Sequence, residues 1–301
     1  MARDFDSALS DVITKESKSC AKSSDYLVYT NDRDVIEPLV IGREYDSAML
    51  TRLEDKTLHV VGPLQKDLER AISARSMSTY SSGHSSGRLH SANLSRLMTG
   101  DTRIFRRKHE TSSKDVAVSL MVDMSGSMSM KGKIELATVA AFALSSVLER
   151  IGISHEVICF TTGEDVAKAD ELKKEAVVGG AGVSHSRTEA IYMPILKGFG
   201  ERLTIKAKER FAWLPNVDDL RNNIDGESIE IAARRLLARK EKGKVMIVLS
   251  DGEPYAAGSR SAQTEYLKKV VDNIRKAEAS VWLVSESCPT PLVDFIQSMS
   301  S

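Results

Sequence analysis

Residues 120–128 read LMVDMSGSM, an apolar run that ends in Asp123 and is followed by hydroxyl side chains at alternate positions, Ser125 and Ser127. A second apolar run, KVMIVLS at 244–250, also ends in an aspartate, Asp251, within SDGEP. Two carboxylates and two hydroxyls form an all-oxygen donor set, which suits a hard divalent cation such as Mg²⁺. A softer metal would call for thiolate or imidazole, and neither occurs in the motif. Each residue also has an ordinary reading. Ser125 and Ser127 could cap the helix that follows, and Asp251 could be a turn residue before Gly252.

Other chemistries fit the sequence poorly. GSMSMKGKI has five residues between Gly126 and Gly132 where a phosphate-binding loop needs four, and Ile134 stands where that loop needs Ser or Thr. The nucleophile elbow G-x-S-x-G is absent around Ser125. His84 and His90 fall in a serine-rich stretch and read as solvated. No nucleophile–base pair emerges, so the chain reads as a non-catalytic partner rather than a hydrolase or an ATPase.

For the two aspartates to share an ion, the fold must bring the ends of their strands together. From Val116 onward, short apolar runs (VAVSLMV, EVICF, KVMIVLS and SVWLV) alternate with helical stretches. Runs without polar alternation are buried on both faces, as in a parallel sheet. KIELATVAAFALSSVLER (133–150) reads as a buried helix closed by Gly152. IEIAARRLLAR (229–239) and TEYLKKVVDNIRKAEA (264–279) read as further helices. The expected fold is α/β, a doubly wound, mostly parallel sheet with a less regular N-terminal region. In such sheets, sites form at the carboxyl ends of strands where strand order reverses.

The expected boundaries are an N-terminal region at 1–72, a Ser-rich linker with a basic segment at 73–114, and the α/β domain at 115–301 with an insertion at 164–222. Within the first region TLHVVGPL (57–64) reads as a short strand and LQKDLERAISAR (64–75) as a helix. Nine serines in residues 73–95 suggest a linker or exposed loop. The basic segment RIFRRKHE (103–110) reads as a solvated face. The insertion carries Gly-rich VVGGAGVSHS and two helices near 190–220.

Composition narrows the setting. Formal net charge is zero, so no global field draws the chain to nucleic acid or an anionic membrane. MARDFDSALSD has no apolar core of a signal peptide, and VAAFALSSVL is too short to span a bilayer. Three scattered cysteines without a CxxC pair fit a reducing compartment. These features point to a cytoplasmic protein.

The D-x-S-x-S run, with an aspartate after a later strand, resembles the metal-ion-dependent adhesion site of von Willebrand factor A domains. Asp123, Ser125, Ser127 and Asp251 match the first, second, third and last elements of that motif. Its threonine has no counterpart, because NNIDGESI stands where family members often read GGTPL. Asp225 or Glu227 would then supply that ligand, and Asp225 also reads as a helix N-cap. NIDGESIEIAARRLLAR, LMVDMSGSM, LERIG, FTTG and SDGEP together resemble the C-terminal part of the CobT subunit of aerobic cobaltochelatase, a family with relatives in phage genomes. The upstream GRLHSANLSRLMTGDTRIFRRK is similar to the segment preceding that subunit's metal-site strand. The chain departs from the family in its serine-rich rather than acidic upstream tract and in its tail, SESCPTPLVDFIQSMSS.

The resemblance implies Mg²⁺ at the rim and an acidic side chain from a partner at the metal. It also implies a CobS-like AAA+ ATPase subunit and a large chelatase subunit as partners, with metal insertion in cobalamin biosynthesis as the output. A stand-alone interaction module using the same Mg²⁺ site, unrelated to tetrapyrroles, is the alternative.

Overall fold

The computed structural model describes residues 26–29, 31–75, 78–84, 86, 88–89, 105–110, 115–163, 171, 174, 185–217, 220–251, 260–276 and 279–284. The Gly-rich residues 179–183 and the tail from 285 onward lie outside them. The chain divides into two compact units, residues 1–65 with 116–290, and residues 66–115 with 291–301.

The first unit is built on a six-stranded sheet. In chain order its strands are β1 (Val35–Pro38), β5 (Val116–Asp123), β6 (Ser154–Thr162), β7 (Ile191–Lys197), β8 (Gly243–Leu249) and β9 (Ala279–Val284). Their spatial order is β1-β7-β6-β5-β8-β9. β6, β5, β8 and β9 run parallel, β7 is antiparallel to β6, and β1 is parallel to β7. β5 is buried along nearly its whole length, as an unbroken aliphatic run requires.

Helices cover both faces. α2 (Lys133–Ile151) lies against β5 and β6, and α3 (Ile205–Trp213) against β7. On the other face Ala117, Met121, Ile158, Phe160, Met246 and Val248 share a core with α4 (Asp225–Leu237) and α5 (Arg260–Lys276). α4 contributes Ile229, Ala232, Ala233, Leu236 and Leu237, one stripe at helical spacing. Gly152 ends α2 at φ 80°, and the N–H groups of Gly152 and Ile153 return to the carbonyl of Leu148. That left-handed closure is the one its glycine foretold. The architecture is therefore doubly wound α/β.

Three local expectations are corrected. TLHVVGPL is not a strand but part of α1 (Ser47–Arg75). Leu53, Thr57, Val61 and Leu64 are buried along one helical stripe, while Leu58 and Val60 face out, so the helical period overrides the local β-branched look. The first of the two helices placed near 190–220 is strand β7. Pro194 is unsuited to a helix interior, and β6 and β1 supply a ladder on each side. Within the stretch read as a Ser-rich linker and basic segment, β2 (Ser78–His84), β3 (Arg88–Leu89) and β4 (Phe105–Glu110) form an antiparallel sheet in the second unit, ordered β2-β4-β3. Its polar strands have no hydrophobic alternation, so only the pairing with distant β4 defines them. No helix among the described residues is long and apolar enough to cross a membrane.

Candidate metal centre

The chain leaves β5 for β6 on one side and later returns through β8 on the other, so strand order reverses beside β5. Val122 pairs with Leu249 in the parallel β5–β8 ladder. The residues that follow, Asp123 on one strand and Ser250 and Asp251 after the other, therefore emerge at the same rim.

Asp123 is wholly buried, at 0% exposure. Its Oδ1 accepts the Ser125 N–H at 2.7 Å, and its Oδ2 accepts the Ser250 hydroxyl at 2.7 Å. The hydroxyl oxygens of Ser125 and Ser127 lie 2.9 Å apart, and Ser127 donates to Asp251 Oδ1 at 2.7 Å. Because the single Ser127 proton goes to Asp251, the Ser125 hydroxyl is the donor to Ser127. Lys133 Nζ donates to the other Asp251 oxygen at 2.8 Å. A continuous polar chain thus runs from Asp123 to Lys133. Neither serine acts as a helix cap. Ser125 precedes a 3₁₀ segment (Gly126–Gly132) without a side-chain cap bond, and α2 begins behind Gly132.

The segment before α4 is laid against this rim by backbone bonds. Gly126 N–H donates to the Arg221 carbonyl at 2.7 Å, Arg221 N–H to Met124 at 3.2 Å, and Thr162 N–H to Asn222 at 3.0 Å. Asp225 follows in the first turn of α4, where Ile224 holds the N-cap position. Asp225 is 5% exposed, and its Oδ1 accepts Asn223 Nδ2 at 3.0 Å. Burial, and then the charge of Asp123, push its carboxyl up to about 8. Burial pushes Asp123 up to about 6, against hydrogen bonds from Ser250 and Ser125 that lower it. These carboxylates are packed without enough compensating positive charge.

Glu227 lies elsewhere. Its carboxylate accepts the Tyr26 hydroxyl at 2.8 Å and sits 3.4 Å from Arg187 Nε. Arg187, fully buried, also pairs with Asp34. Tyr26 stacks on Tyr266 with ring centroids 4.3 Å apart. Glu227 therefore anchors residues near Tyr26 to α4, while Asp225, two positions earlier, feels the charge of Asp123.

Among the described residues, no three His, Cys, Asp or Glu side chains gather into a group that could hold a metal. Serine hydroxyls would have to complete any coordination sphere here. Carboxylates and hydroxyls, with two of the carboxylates held above their ordinary range by burial, fit a hard divalent cation. Sequence reasoning missed Ser250, Lys133 and Asn223. Ser250 directly precedes Asp251 at the end of β8, and that adjacency was the available signal. Lys133 carried no recognisable pattern.

The family described as the VWA domain of the cobalamin biosynthesis protein CobT matches residues 104–284, more than half of the chain. The chain belongs to this CobT VWA domain family. It is also 28% identical over 173 residues to the uncharacterized protein YojO of Bacillus subtilis strain 168, covering 57% of this chain and 24% of YojO. Among solved structures, the pilus adhesin SpaC of Lactobacillus rhamnosus GG in its open conformation aligns with a TM-score of 0.37 and 12% identity, over 61% of this chain and 26% of SpaC. A second crystal structure of SpaC gives 0.39 and 11%, over 62% and 27%. The CobT-family chain thus spans about a quarter of the length of these relatives. The family match covers every residue of the rim, from Asp123 to Asp251.

Proposed function

We propose that this CobT-family chain is a non-catalytic, cation-dependent binding subunit of a cobaltochelatase-like assembly in cobalamin biosynthesis. In this reading Asp123, Ser125, Ser127, Asp225 and Asp251 hold Mg²⁺ at the rim. When bound, the ion supplies a coordination place that a carboxylate from another protein can fill. The chain's own residues set the stage for that contact. Ser125 N–H and the Ser250 hydroxyl fix the Asp123 carboxylate, and the Ser125 hydroxyl donates to Ser127, which in turn donates to Asp251.

The observation that carries the reading is the hydrogen-bonded run from Asp123 through both serines to Asp251, which gathers the four matched motif residues at one rim of a family-matched domain. The backbone bonds around Arg221 link that rim to the first turn of α4, so an event at the rim can bias the segment before Asp225. Such a link would couple an AAA+ ATPase partner to the subunit that inserts cobalt, which is substrate here rather than resident cofactor.

Affinity purification with a CobS-like AAA+ ATPase from the same genome tests the proposal. Co-purification lost on adding EDTA, and lost in Asp123→Ala, is the expected result. Co-purification indifferent to both removes the cation from the contact. A chain that binds Mg²⁺ but captures no ATPase is instead a stand-alone interaction module.

A further inference from the structure

Lys133 occupies an unusual place in this rim. It is the first residue of α2, and its ammonium lies 2.8 Å from Asp251 Oδ2, with side-chain exposures of 20% for the lysine and 4% for the aspartate. The backbone pays for that position. Lys131 at φ 55° and Gly132 at φ 70° are consecutive left-handed residues, and they turn the 3₁₀ segment into α2 immediately before Lys133. A lysine in that conformation is disfavoured, because its Cβ crowds the following carbonyl. Asp251 consequently presents one oxygen to Ser127 and the other to Lys133.

We propose that Lys133, poised on the Asp251 oxygen that does not accept from Ser127, is a resident counter-cation that weakens cation binding at the rim and keeps the loaded rim from repelling an incoming carboxylate. The inference rests on the reading that this rim holds a divalent cation. Its logic is charge balance. Asp123, Asp225 and Asp251 carry three negative charges when ionised, and Lys133 leaves two, which a divalent ion neutralises. Without the lysine the loaded rim keeps a net negative charge and repels a partner's carboxylate. The ammonium also engages an Asp251 oxygen that would otherwise be available to the ion. Lys133 is thus a positioning residue that trades metal affinity for partner binding.

Calorimetric titration of the full chain with MgCl₂ and with MnCl₂ tests this in the wild type, Lys133→Gln and Lys133→Arg. Lys133→Met serves as a second neutral variant should glutamine compromise folding. Removing one unit charge near a divalent ion tightens binding by at least about tenfold, the size expected for such charges roughly 6 Å apart in water. Lys133→Arg keeps the charge and is expected to bind like the wild type. Neutral variants that bind no tighter, or an arginine variant that behaves like them, overturn the inference and leave the proposed function standing. Binding by the neutral variants alone upholds the lysine's role but removes the cation from the wild-type mechanism. No binding by any variant overturns both.

Discussion

Asp225 and Glu227 are two positions apart in one helical turn, yet their environments differ. Asp225 is raised by burial and then by the charge of Asp123, whereas Glu227 takes its partners from Tyr26 and Arg187. Of the two residues that could replace the motif's threonine, only Asp225 is placed to act on the rim. Asp225→Asn is therefore expected to weaken Mg²⁺ binding by at least about tenfold, and Glu227→Gln to change it by less than about threefold, since remote partners act only indirectly. Isothermal titration of both variants distinguishes them, and equal losses would reject the assignment. A second prediction follows from protonation. The Asp225 carboxyl, normally near 3.8, titrates at about 8 in the folded chain. Between these values the unfolded chain has released its proton while the folded chain retains it, so stability without metal falls as pH rises from about 4 to 8, then levels off. The loss is on the order of 6 kcal/mol. Asp123, raised to about 6, adds to the slope at the acidic end of that window. Thermal melts in EDTA should show the decline, and Asp225→Asn should flatten it above pH 6. A wild-type melting temperature that rises between pH 6 and 8 would contradict the assignment.

At the scale of elements, the first turn of α4 is held by close packing. A Cβ on Gly226 would come within 2.6 Å of Tyr266 Cδ1, a ring already stacked on Tyr26. Gly226→Ala must displace that ring, and overpacking of this kind costs roughly 1–3 kcal/mol. Chemical denaturation should show that loss, together with weaker Mg²⁺ binding, because the displaced turn carries Asp225. A Gly226→Ala variant of wild-type stability would mean the turn is slack. How well each element could be read from sequence follows from where its partners lie. β5 and β8 were legible because burial on both faces writes an unbroken aliphatic run, and the two aspartates were legible because each ends such a run. α2 announced its own end through Gly152. β2, β3 and β4 were not legible, because two polar strands are defined only by their pairing with a third beyond a long connection. The 57–64 segment misled because its four-residue stripe begins at Leu53, outside the short apolar window. Tyr26 and Arg187 were invisible as partners of Glu227, since nothing local in the sequence marks contacts across 201 positions for Tyr26 and about 40 for Arg187.

At the scale of the whole molecule, the rim is assembled from parts far apart in sequence. Residues 123–133 leave β5, residues 220–225 cross beside them, and residues 250–251 leave β8. Every link among them is a hydrogen bond or a charge contact within the first unit, and β2, β3 and β4 belong to the second. A cation held at this rim stabilises the first unit, which folds around its ligands, and adds most protection where those ligands lie. Hydrogen exchange with and without MgCl₂ at pH 8 measures this directly. Protection should rise in peptides covering 123–133, 220–228 and 249–251, and stay unchanged in those covering 78–84 and 105–110. The same ion at pH 6 should protect less, because Asp225 then retains its proton and competes with the metal. Protection spread evenly over both units would instead mark nonspecific stabilisation by salt. Unchanged exchange at residues 220–228, with protection elsewhere on the rim, would remove Asp225 from the ion's reach and break the link between the rim and α4 on which any coupling to a partner depends.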